Sequence, residues 1–111
     1  MASSLDIVTN FVNLLQQQQN HQAALDILDD GFQFKTPNTS GFVAGKDKWY
    51  EDFSTSKIKP TFDTPVVTAA DDKEVVTRKG KVKKAMLTFH ITETFEVNED
   101  GKISKLVVAR A

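Results

Sequence analysis

The stretch from Met86 to Arg110, MLTFHITETFEVNEDGKISKLVVAR, constrains the fold more than any other part of the chain. Leu87, Phe89 and Ile91, then Phe95 and Val97, alternate with Thr88, His90, Thr92, Thr94 and Glu96. Period-two alternation of β-branched and aromatic residues predicts a strand with one buried face. Asn98-Glu99-Asp100-Gly101 predicts a tight turn, since glycine takes positive φ without steric cost. Ile103, Leu106 and Val108 then resume the apolar pattern on a returning strand. Glu93 breaks the rule, because it falls in register with Phe89, Ile91 and Phe95. Arg110 falls in register with Leu106 and Val108. A charge on an apolar face needs a partner or a pocket.

The chain has 111 residues, which fits one domain over 1–111. Its net charge of −1 supplies no global basic field, so nucleic acid is not expected as a partner. The absence of cysteine excludes disulfides and thiol catalysis, and two histidines alone argue against a zinc site. No metal or nucleotide motif is present, so no cofactor is expected. No apolar run is long enough to span a membrane. The MASSLDIV start lacks the positive region and cleavable apolar core of a secretory signal. The expectation is a cytoplasmic protein without a membrane partner.

Before the hairpin the pattern is helical. Ser3 with Asp6 reads as a capping box, and Val8, Phe11, Val12 and Leu15 fall on one helix face, widened by Leu5 and Leu14. This predicts a first helix from Ser4 to Gln19. Ala24, Leu25, Ile27 and Leu28 predict a short second helix, with Gly31 just past its end. Phe32 to Thr36 predicts a short strand stopped by Pro37, followed by a loop from Asn38 to Gly45. Lys46 to Phe53 predicts a third helix with Trp49 and Phe53 on one face. Two strands then precede the hairpin, one from Lys57 to Ala70 interrupted at Pro65, one from Glu74 to Lys83, with a turn at Asp71-Asp72 between them. Helices gathered against an antiparallel meander give an α+β fold.

This pattern resembles the nuclear transport factor 2-like superfamily, in particular its small SnoaL-like and ketosteroid isomerase-like members. The resemblance rests on ALDILDDGFQFKTP (Ala24 to Pro37), GKDKWYEDF (Gly45 to Phe53) and TETFEVNEDGKISKLVV (Thr92 to Val108). It implies a cystatin-like cone, with three helices packed on a curved, mainly antiparallel sheet around an apolar pocket, and it implies a homodimer. The base of the ketosteroid isomerases would fall at Thr36, and their two tyrosines at Phe11 and Phe53. Their second oxyanion donor, a carboxylic acid, would fall at Glu93. Threonine and phenylalanine cannot move a proton, so the resemblance implies the fold without the isomerase reaction.

Glu93 has two readings: a structural carboxylate paired to Arg110 or to a hydroxyl, or a catalytic base. Phe11, Phe34, Thr36, Trp49, Phe53, Phe95 and Arg110 are the candidate pocket residues. Tyr50 is a further hydroxyl, and His90 falls on the outer face. His21 sits at a helix junction and reads as solvated. Arg78, Lys79, Lys81, Lys83 and Lys84 read together as a charged strand edge that resists pairing. Met86, Thr88, Thr92 and Val107 read as a flat outer surface for the dimer. Two functions follow. One is a small-molecule binding protein for an apolar ligand, with cofactor-free isomerase, cyclase or lyase chemistry at Glu93. The other is an association module whose pocket is vestigial.

Overall fold

A computed structural model of the chain describes residues 3–16, 19–56, 67–68, 75–84 and 86–110. The elements run α1 (Ser4–Gln16), α2 (His21–Ile27), β1 (Leu28–Lys35), β2 (Val43–Ala44), α3 (Lys46–Thr55), β3 (Val67–Thr68), β4 (Val75–Lys84), β5 (Leu87–Val97) and β6 (Ile103–Arg110). The strands form one sheet in the order β2-β1-β6-β5-β4-β3. All described pairings are antiparallel except β1 with β6. The fold is α+β, three helices on a mainly antiparallel sheet.

Local chemistry sets the boundaries. Ser3 Oγ accepts the Asp6 N–H at 3.1 Å, the capping contact expected from the sequence. Asn20 caps α2, its side chain accepting the Ala23 N–H at 3.3 Å. Gly45 starts α3 at φ 110° and Gly101 sits in the β5–β6 turn at φ 75°, conformations that disfavour a Cβ. Asn98 tightens that turn, with Oδ1 accepting from the Asp100 and Lys102 N–H groups.

The second helix differs from expectation. It ends at Ile27, and Leu28 opens β1 with its side chain buried. Gly31 therefore lies inside a strand, not past a helix end. The apolar run Ala24 to Leu28 fits both periods, and pairing of Leu28 with Ile103 on β6 decides for strand. The loop from Asn38 to Gly45 contains a two-residue strand, β2, that pairs with β1 at Gln33 and Phe34. The described part of α1 ends at Gln16, and Gln19 carries a positive φ of 52°, so the helix does not continue regularly to Gln19. The predicted 57–66 strand segment, the turn at Asp71-Asp72 and Glu74 lie outside the described residues.

The core lies between the helices and the inner sheet face. Val8, Phe11, Leu14 and Leu15 of α1 meet Phe32 and Phe34 of β1, Trp49 of α3, and Val76, Phe95, Val97, Ile103 and Leu106 of the sheet. Inner residues of β5 are buried from Ile91 through Val97, while Thr88 and His90 are exposed on the outer face. The hairpin alternation thus sets which face the helices cover.

Candidate functional site

The helices do not fill the space over the inner sheet face. They leave a cavity of about 430 Å³. Phe11 and Leu15 of α1, Trp49 and Phe53 of α3, Phe95 of β5 and Leu106 and Val108 of β6 form its apolar wall. Phe11 packs against Trp49 at 5.7 Å between ring centroids and against Phe95 at 6.1 Å, edge-on. Trp49 stacks on Phe53 at 5.3 Å. Gln16, Gln19, His21, Arg78 and Glu93 supply the polar groups.

Glu93 points inward and is 8% exposed. Its partner is Arg78, which is 7% exposed and stands opposite it in the β4–β5 register. Arg78 Nε donates to Glu93 Oε1 at 2.5 Å, and Arg78 Nη1 donates to Gln16 Oε1 at 3.2 Å. The ion pair therefore links two strands to the end of α1. Burial pushes the Glu93 carboxyl above the usual range, and the charge and hydrogen bond of Arg78 pull against that shift.

Arg110 is not the partner. It stands opposite Ile91 at the end of β6, is exposed, and lies over the Phe89 ring at 4.8 Å. The inward register of β6 runs past the cone at that point, so Arg110 does not line the cavity. Arg78 was hidden in the sequence by its four lysine neighbours. Reading Val76, Arg78, Gly80 and Val82 as one face would have found it. At Val76 and Thr77 β4 is not an edge, since it pairs there with β3 on one side and β5 on the other.

Of the other expected pocket residues, Phe11, Trp49, Phe53 and Phe95 line the cavity. Phe34 does not; it is buried in the core and stacks on Phe32 at 6.3 Å. Thr36 also lies elsewhere, held in the turn after β1. Its Oγ1 accepts the Asn38 N–H and its N–H donates to Thr39 Oγ1, each at 3.1 Å. His21 is half-buried rather than solvated. Its Nδ1 lies 2.7 Å from the Tyr50 hydroxyl, and its ring meets Tyr50 and Phe53 edge-on. The face of α3 that carries Tyr50 was ambiguous in the sequence, so this pair could not be read there. Met86 lies in the β4–β5 turn and not on the outer sheet face.

The described residues contain no group of three or more His, Asp or Glu side chains placed to hold a metal ion. No described helix is long and apolar enough to cross a membrane.

No protein-family model matches the chain, and no curated protein matches it in sequence. Solved structures do match in shape. A nuclear transport factor 2-like protein of unknown function from Cytophaga hutchinsonii superposes with a TM-score of 0.74 at 20% identity, covering 100% of this chain and 92% of that one. This chain has the nuclear transport factor 2-like fold. A steroid delta-isomerase from Pseudomonas aeruginosa shares that fold with a TM-score of 0.77 at 13% identity, covering 100% of this chain and 81% of that one. So does SalBIII, an epoxide hydrolase/cyclase-like enzyme of pyran ring formation in the polyether salinomycin. Its TM-score is 0.72 at 11% identity, covering 97% of this chain and 90% of that one. At such identities the likeness concerns the nuclear transport factor 2-like backbone and not its chemistry.

Proposed function

We propose that this protein binds a small, largely apolar molecule carrying one polar group, and that Glu93 exchanges a proton with it. The observation that carries the reading is the open cavity of about 430 Å³, walled by aromatic side chains and floored by a buried ion pair. That size lies within the usual range of small-molecule sites, which combine apolar walls with a few placed polar groups. An open cavity also favours this reading over a purely structural association module. A ligand burying about 250 Å² of apolar surface gains roughly 6 kcal/mol before the cost of immobilisation. Once that cost is subtracted, weak binding of about millimolar affinity follows.

The reaction class is cofactor-free isomerisation, cyclisation or elimination. Raised proton affinity suits Glu93 to exchange a proton nearer neutral pH than an ordinary carboxylate. The fold is shared with a steroid delta-isomerase and a cyclase-like enzyme, which supports this class. Ketosteroid isomerase chemistry is not part of the proposal. Thr36 lies away from the cavity, and the helix positions facing it carry Phe11 and Phe53 without hydroxyls. The test is a titration with 1-anilinonaphthalene-8-sulfonate, read by energy transfer from Trp49, the chain's single tryptophan. Saturable transfer, weakened in a folded Val108→Phe variant, is expected. Absent or unsaturable transfer overturns ligand binding. Turnover of a steroid enone that survives Glu93→Gln overturns the role of Glu93, and its loss in His21→Gln would move that role to His21.

Homodimerisation through the outer sheet face is also proposed. Thr92, Thr94 and Val107, neighbours across β5 and β6, form an uncharged strip there.

A further inference from the structure

The cavity has a second polar corner on its helix side. His21 opens α2 directly after the Asn20 cap, and its ring lines the cavity. Tyr50 of α3, 2.7 Å from Nδ1, stands behind it, outside the cavity wall. The ring also meets Phe53 edge-on at 5.9 Å, and Phe53 belongs to that wall. His21 is thus fixed from two directions. A staple between two helices needs Nδ1 alone. Nε2 has no hydrogen-bond partner among the described residues, in a ring that borders the cavity.

The chemistry of this corner is that of a donor. An imidazole nitrogen accepts a hydrogen bond better than a phenol oxygen does, so Tyr50 donates to Nδ1 and the proton of the neutral ring sits on Nε2. The imidazolium carries a proton on both nitrogens, so Nε2 donates in either state. Gln16 adds to this. Its Oε1 accepts from Arg78 Nη1, which leaves its amide N–H groups for another partner.

We infer that His21 holds the polar group of the ligand, donating Nε2–H to an uncharged acceptor oxygen, and that the ligands of this cavity are apolar carbonyl compounds. The inference rests on the ligand-binding reading proposed for the same cavity and adds which group is recognised and by which residue. A carboxylate fits less well, because Arg78, the buried cation of the cavity, is already engaged by Glu93. Tyr50 is a positioning residue. It touches His21 and fixes which nitrogen carries the proton.

The test compares two compounds of one shape, 2-acetylnaphthalene and 2-isopropenylnaphthalene, in which a methylene replaces the carbonyl oxygen. They compete for the full chain in one sample, read by ligand-observed NMR. The wild type should prefer the ketone. His21→Phe should lower that preference roughly two- to tenfold, and Tyr50→Phe should lower it less. The carbonyl carbon signal of the ketone should move downfield on binding to the wild type, and this shift should be lost in His21→Phe. Circular dichroism checks that the variants fold. A merely structural His21 would weaken both compounds alike and leave the ratio unchanged, which overturns the inference. So does a carbonyl signal that does not move on binding, or 2-naphthoate binding more tightly than the ketone. In those cases binding itself remains and the ligand-binding reading stands. If neither naphthalene binds and 1-anilinonaphthalene-8-sulfonate does not saturate, that reading falls and the role of His21 falls with it.

Discussion

Replacing Arg78 by methionine keeps most of the side-chain volume and leaves Glu93 buried without its counter-charge. With charge centres about 4 Å apart, the pair attracts by roughly 4 kcal/mol at an effective dielectric of 20. Removing one partner of a buried pair costs about 3–5 kcal/mol. The second limit comes from the proton. An isolated Glu93 escapes its penalty by staying neutral, against an unfolded-state pKa of about 4.3. Holding that proton costs about 3.7 kcal/mol at pH 7 and about 1 kcal/mol at pH 5, since each pH unit is worth about 1.36 kcal/mol. The sign follows from the raised carboxyl. Glu93 contributes its stability in full below the unfolded pKa, and that contribution is lost as pH rises through the folded value. Arg78→Met removes both influences that lower the folded value, so it widens this window upward. The wild-type carboxyl is itself raised and already bears part of this cost, so urea unfolding from pH 4 to 8 should show a deficit of about 1–3 kcal/mol at neutral pH that nearly vanishes near pH 4. Arg78→Met with Glu93→Leu should recover most of it at every pH. A deficit independent of pH, or one below about 1 kcal/mol at pH 7, would refute the argument.

Three further outcomes are expected. Gly101→Ala should cost about 1–2 kcal/mol in chemical denaturation. The nearest atom to a new Cβ, Ile7 Cδ1, is 3.7 Å away, so backbone strain at φ 75° is the whole effect. Tyr50→Phe should cost about 0.5–1.5 kcal/mol in the same assay, and the His21 ring signals in NMR should shift as its Nδ1 partner is lost. Sedimentation at micromolar concentration should show a dimer that Thr94→Lys with Val107→Lys converts to monomer. A wild-type monomer would contradict the outer-face contact.

The hairpin alternation placed Phe95 and Glu93 inward and His90 outward, because one buried face fixes a period-two register. The capping pair at Ser3 and Asp6 and the faces of α1 and α3 were legible for the same reason. The partner of Glu93 was not. It depends on the β4–β5 register, which the long alternating strands allow but do not announce, and Arg78 was masked by the lysines around it. Leu28 was lost to the helix pattern because a short apolar run carries no period of its own, and its pairing with Ile103 is a contact 75 positions away. The contact of His21 with Tyr50 joins two helices, and no local pattern encodes it. Thr36 is a pocket candidate by analogy with an isomerase position, and Phe34 as an aromatic of the first strand. The turn after β1 takes Thr36 away from the cavity, and stacking on Phe32 holds Phe34 in the core.

Methyl NMR during a titration with 1-anilinonaphthalene-8-sulfonate tests the central claim most directly, because the apolar wall of the cavity carries its own reporters. The signals of Leu15, Leu106 and Val108 should move together and saturate with one dissociation constant, while those of Leu28 in the core and Val107 on the outer face stay in place. Movement confined to Val107, or no movement at Leu15, Leu106 and Val108, would contradict a ligand site above the Arg78–Glu93 pair.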